Sequence, residues 1–131
     1  MVIVVGYYPA APGEAALARA IEEARLRAGR LVVVNSSRGD ALVDKRLAQG
    51  QDVDRLESTL RASGVEWQLL QPVRGHDAAA EILEVAESTR ADLIVIGMRH
   101  RTPVGKLIMG STAQRVLLGA RCPVLSVQAA D

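Results

Sequence analysis

The chain is poor in aromatic side chains. It holds no phenylalanine and only Tyr7, Tyr8 and Trp67, which excludes the stacking platforms with which single-stranded nucleic acids are read. It also lacks a charge excess: 16 Lys and Arg stand against 15 Asp and Glu, a formal net charge of +1. A general polyanion-binding surface, such as a DNA-binding module carries, is therefore not expected, and any positive field must be local. A single cysteine, Cys122, cannot form an internal disulfide. The longest opening apolar run, "MVIVV", breaks at Gly6 with no basic segment before it, too short for a signal peptide core or a membrane span. These absences point to a reduced, cytoplasmic setting with no membrane partner.

What is present is aliphatic. The 131 residues are 49% hydrophobic, enough for one domain spanning residues 1–131 that buries roughly 68% of its unfolded surface. With so few rings, the core must be built from Val, Ile, Leu and Ala, as in close-packed α/β sheets. Runs rich in β-branched residues recur at Met1 to Val5, Arg30 to Asn35, Asp92 to Gly97 and Cys122 to Val127, and they read as strands buried on both faces. "EWQLLQ", Glu66 to Gln71, mixes polar and apolar residues and predicts a strand near a sheet edge.

Helical patterns lie between them. Leu17, Ala20, Ile21 and Ala24 repeat at helical spacing, as do Ala79, Ile82, Leu83 and Ala86, and Ala113, Val116, Leu117 and Ala120; Val53, Leu56 and Leu60 form a shorter stripe. Pro12 and Gly13 precede the first helix and Gly29 follows it, Gly64 ends the second, Gly75 to Asp77 open the third, and Gly119 lies near the end of the fourth. Ser36 to Gln51 is polar and reads as a long βα loop, a flap or an insertion. Strict alternation of strands and helices requires crossover connections, hence a parallel, doubly wound sheet with helices on both faces. Ligands of such sheets bind beyond the strands' carboxyl ends.

At that edge falls "GMRHRTPVGKLIMGST", Gly97 to Thr112. The backbone N–H groups of Ser111, Thr112 and Ala113, with two hydroxyls and the positive end of a helix dipole, suit an anion. Ser111 or Thr112 acting as a simple helix N-cap is the alternative. A Walker A loop is excluded, because Leu107 follows Lys106 where a Mg²⁺-binding hydroxyl is needed, and the dinucleotide fingerprint fails because Gly6 and Gly13 are too far apart. His76 and Asp77 read as a helix start, with Asp77 favouring the dipole. His76 and His100 alone make no metal site. Cys122 before Pro123 reads as a small buried hydrophobe, and Asp92 opens a strand without an evident partner.

The glycine segment resembles the Gly-x-x-Gly-(nine residues)-Gly-Ser/Thr stretch of the universal stress protein family, at Gly97, position 100, Gly110 and Ser111. "IVVG" at the start, "ADLIVIGMR" before the segment and "AQRVLLGARCPVLSV" after it are similar to the family as well. The resemblance implies a five-stranded parallel sheet in order 3-2-1-4-5 and a homodimer joined through the last strand, Val124 to Val127. It also implies a binding module for an adenine nucleotide, ATP (with Mg²⁺) or AMP, with no catalytic residues. Some members bind the nucleotide through this segment, and others lack the glycines and do not.

Two departures keep the second kind of member in view. The middle glycine is His100, whose side chain either occupies phosphate space or donates to a phosphate while holding a left-handed backbone. Arg99 and Arg101 flank it, either as phosphate ligands or as solvated charges. The family's Asp-Gly-Ser after the first strand reads Tyr8, Pro9 and Ala10, so Tyr8 either stacks on a base or fills the pocket. The main-chain contact to adenine at the end of the second strand would fall near Asn35 and Ser36. The alternative function is a dimeric interaction module of the same fold, closed by Tyr8 and His100 and holding no nucleotide; slow ATP hydrolysis is a third reading.

Overall fold

A computed structural model describes residues 1–35, 43–71, 77–98 and 110–129, with the backbone alone for 43–50. The chain runs β1 (Val2–Tyr7), α1 (Ala11–Arg27), β2 (Arg30–Asn35), α2 (Val43–Ala62), β3 (Glu66–Leu70), α3 (Ala78–Thr89), β4 (Leu93–Met98), α4 (Ser111–Gly119) and β5 (Val124–Gln128). The strands form one parallel sheet in order β3-β2-β1-β4-β5. The β-branched runs fall on its strands, because side chains that are stiff at χ1 pack well on a pleated, doubly covered surface.

Alternation along each strand divides the core between two faces. Ile3, Val5, Tyr7, Leu31 and Val33 pack with α1 and with Leu56 and Leu60 of α2. Val4, Val32, Val34, Ile94 and Ile96 pack under Ala79 and Ile82 of α3 and Ala113 and Val116 of α4. Each Val, Leu or Ile so buried contributes roughly 1.5–3 kcal/mol. The weak run Glu66–Leu70 is an edge strand, as its mixed pattern predicts. Strand order reverses between β1 and β4, so α1 and α2 cover one face and α3 and α4 the other, leaving a crevice at the carboxyl ends of β1 and β4.

Four details differ from the sequence reading. The polar stretch Ser36 to Gln51 is not all loop, since α2 begins at Val43. Pro12 and Gly13 lie inside the first turn of α1, not before it, and proline there gives up only an N–H that has no helical partner. Leu117 faces outward, 38% exposed, although its spacing placed it on the apolar stripe. Asp92 does have a partner: its Oδ2 accepts from Val2 N at 2.8 Å, and Asp92 N donates to Val2 O at 2.8 Å. This clasp joins the amino ends of β1 and β4.

Candidate functional site

The carboxyl edge is built by close backbone packing. A Cβ added at Gly13 would lie 1.9 Å from Tyr8 O, and one at Gly97 would lie 2.0 Å from Pro12 O. The ends of β1 and β4 and the first turn of α1 therefore touch main chain to main chain, which only glycine permits. Tyr8, half-buried, follows β1 directly, and its carbonyl accepts from Ala10 N at 2.8 Å. Gly97 thus has a structural reason that its place in the glycine segment does not disclose.

Gly110 is the opposite case. It is the N-cap of α4 with an ordinary negative φ of −66°, its position has no side-chain cap bond, and a Cβ there meets nothing within 4 Å among the described residues. Neither backbone strain nor packing calls for glycine. Ser111 and Thr112 are the first helical residues, not the cap, so the simple capping explanation of their hydroxyls fails. The first helical bond runs from Gln114 N to Gly110 O at 3.0 Å. The N–H groups of Ser111, Thr112 and Ala113 precede it and point outward from the positive end of α4.

Next to this open helix end, α3 begins with Asp77, whose carboxylate accepts from Ala80 N at 3.2 Å. That carboxylate also pairs with Arg115 of α4, so α3 and α4 are tied together at the crevice. A separation of 38 residues gives no sequence signal for the pair. Only the place of Asp77 at a helix start was readable.

On the other side of β1, Asn35 closes β2 in register with Tyr7. It is 5% exposed, and its Nδ2 donates to Gln71 Oε1 at 3.1 Å, while its Oδ1 has no hydrogen-bond partner among the described residues. An unpaired buried acceptor costs about 1–3 kcal/mol. Tyr7, buried beside it, donates its hydroxyl to Glu14 Oε2 at 2.7 Å. Burial first, then the Glu14 hydrogen bond, push its ionisation far above the ordinary 10.0, so Tyr7 stays a neutral donor at all ordinary pH. The sequence reading missed both polar contacts: Asn35–Gln71 depends on which strand ends become neighbours, and Tyr7–Glu14 on how the first turn of α1 folds back over the end of β1.

Thus Tyr8, Asn35, Gly97, Gly110, Ser111 and Thr112 all lie at the carboxyl edge. Ser36, Arg99 and His100 lie outside the described residues. A separate cleft of about 250 Å³ opens at the amino edge between α3 and α4, lined by Leu83, Ala86, Gly119, Ala120 and Cys122 among others. Burial, then the Asp92 carboxylate, push the Cys122 thiol above its usual range, which suits a packed hydrophobe and not a nucleophile. Among the described residues no group of three His, Cys, Asp or Glu could hold a metal ion, and no helix is long and apolar enough to cross a membrane.

The sheet order, the switch point beside β1 and the start of α4 without a side-chain cap define a doubly wound α/β domain whose carboxyl edge is formed by strand ends and one helix N-terminus. Comparison with known proteins resolves the class further. Residues 1–128 match the Universal stress protein family, and the chain belongs to that family. A universal stress protein of Mycolicibacterium smegmatis is 49% identical over 126 residues, covering 96% of both chains. The solved universal stress protein of Archaeoglobus fulgidus superposes with a TM-score of 0.79 at 35% identity, covering 97% of this chain and 98% of that one. The universal stress protein of Archaeoglobus fulgidus in complex with dAMP superposes with a TM-score of 0.72 at 29% identity, covering 97% of each.

Proposed function

We propose that this protein binds an adenine nucleotide, AMP or ATP, at the carboxyl edge, acts in stress regulation through partners that respond to the bound state, and does not turn the nucleotide over. The observation that carries this is the start of α4: a glycine needed neither for φ nor for packing among the described residues, followed by three outward N–H groups and two hydroxyls. Open space over an uncapped helix dipole suits a phosphate. The relative solved with dAMP supports the same ligand class. Arg99 would add donors from the adjoining segment, where His100 stands in place of the family's middle glycine; Tyr8 would face the nucleoside, and Asn35 and Ser36 would mark its base end. Mg²⁺ would accompany ATP through the phosphates.

Equilibrium dialysis with labelled ATP and AMP tests the proposal, and absence of binding at millimolar nucleotide would sink it. Gly110→Asp separates site from fold. Aspartate is a better N-cap than glycine and favours the helix dipole, so folding stability should hold or rise by a few tenths to about 1 kcal/mol. The same carboxylate in phosphate space should abolish nucleotide binding. His100→Gly, restoring the family's middle glycine, should leave affinity intact or raise it.

We further propose a homodimer joined through β5, with Val124 to Val127 at the junction. Those residues are half-buried and uncharged although β5 is an edge strand.

A further inference from the structure

The amino-edge cleft between α3 and α4 has no part in the nucleotide reading. It holds about 250 Å³, just below the roughly 300–1,000 Å³ of pockets for drug-sized ligands, so it suits a small one. Its floor is apolar or neutral, formed by Leu83, Ala86, Ala91, Gly119, Ala120 and Cys122. The room depends on Gly119, since a Cβ there would meet Leu83 Cδ1 at 2.8 Å. Three charged side chains complete the lining, Glu87, Arg90 and Arg121. Glu87 Oε1 lies 3.7 Å from Arg121 Nη1, both side chains being exposed, while Arg90 has no hydrogen-bond or ion-pair partner among the described residues.

We infer that this cleft binds a small amphipathic monocarboxylate, its alkyl or aryl body over Leu83, Ala86 and Cys122 and its carboxylate on Arg90. Apolar burial supplies the attraction, and the guanidinium supplies the selectivity. Two influences oppose an anion. The carboxyl ends of α3 and α4 finish here, at Thr89 and Gly119, and the charge of Asp92 acts on Cys122. The helix ends, however, carry only partial charges, and the Asp92 carboxylate is engaged by Val2 N. A guanidinium facing a carboxylate makes two parallel charge-assisted bonds, which outweigh both. A cationic ligand would have to displace Arg121 from Glu87 and stand beside Arg90, and a neutral one would leave Arg90 unused.

Calorimetric titration with hexanoate, hexanol and hexylamine, which share one apolar body, tests the inference. The wild type should bind hexanoate, bind hexanol about tenfold or more weakly, and not bind hexylamine. Arg90 is exposed, so Arg90→Gln should keep the fold; it should lower hexanoate affinity to that of hexanol and leave hexanol unchanged. Saturating hexanoate should also slow maleimide labelling of Cys122, the chain's single thiol, which locates the ligand in this cleft. Equal affinity for the acid and the alcohol, or an unchanged hexanoate affinity in Arg90→Gln, would overturn the inference. So would an absence of hexanoate binding, a labelling rate at Cys122 that hexanoate does not alter, or displacement of hexanoate by AMP, which would place it at the opposite edge of the sheet.

Discussion

At the scale of single residues, like symbols in the sequence serve unlike purposes. Gly97 and Gly110 read as two members of one glycine motif, yet Gly97 is wedged against the carbonyl of Pro12, while a Cβ at Gly110 meets nothing within 4 Å among the described residues. Gly97→Ala would drive a methyl group into backbone, where neither partner gives way, and should destabilise the fold by roughly 1–3 kcal/mol or more by urea unfolding. A loss below about 0.5 kcal/mol, the usual size for unconstrained surface changes, would contradict the packing assignment. Charge offers a second test at this scale. The guanidinium of Arg27, then that of Arg19, each 2.9 Å away, hold the Glu23 carboxyl below its ordinary 4.5. A lowered folded-state pKa means stabilisation that is fully present above the unfolded value and lost as pH falls through the folded one. The stability gap between wild type and Glu23→Gln, followed by thermal melts from pH 7 to pH 2, should therefore be constant down to about pH 5 and close below about pH 4.5. A gap that persisted at the acid end would mean the side chain acts through packing and not charge.

At the scale of elements, periodicity located the strands and helices of the described residues, because aliphatic runs and helical stripes are local patterns. The run Cys122 to Val127, read as buried on both faces, nevertheless forms the half-buried edge strand β5. Periodicity failed where a helix start carries only a short apolar signal. Val43 and Leu47 stand one turn apart, but the next turn holds Gly50 and Gln51 among charges, an order that reads as loop, and α2 nevertheless begins there. Of its stripe, Leu56 and Leu60 are the residues buried against the sheet, so the anchored end of α2 was legible and its leading end was not. Helix ends show the same division. Gly29 marks the exit of α1, yet the left-handed residue is Ala28, with φ 51°, and α3 closes on Arg90 with φ 54°. A Cβ in that conformation costs roughly 1–2 kcal/mol, partly offset by the greater unfolded-state freedom of glycine. Ala28→Gly should accordingly stabilise the protein by about 0.5–1 kcal/mol and raise its melting temperature by roughly 2–5 °C. A lower melting temperature would show that the Ala28 methyl makes contacts worth more than the strain. The site divides likewise: its glycines and hydroxyls lie within one segment and could be read in advance. Asn35 with Gln71 and Asp77 with Arg115 are brought together only by strand order and helix packing.

At the scale of the whole molecule, two edges of the sheet must be dealt with, and the chain treats them differently. β3 carries Glu66 and Gln68 outward beside Arg30, the polar dressing that discourages strand pairing. β5 has no charge from Val124 to Val127, and α4 above it leaves Leu118 80% exposed. An undressed edge invites a second copy, and pairing about a two-fold axis would close the sheet without starting a fibre. The backbone shows how to interrupt this without touching the fold. Ile94 N donates to Pro123 O at 3.0 Å and Ile94 is in register with Val124, so by parallel alternation Leu125 and Val127 turn their N–H groups to β4, while Val124 and Ser126 turn theirs away. Proline at 126 would remove only an outward donor and place its ring where a partner strand must approach. Sedimentation should find the wild type dimeric and Ser126→Pro monomeric with an unchanged circular dichroism spectrum. If the variant sedimented as the wild-type dimer does, the junction would have to lie elsewhere, with the exposed Leu118 face of α4 the next surface to alter.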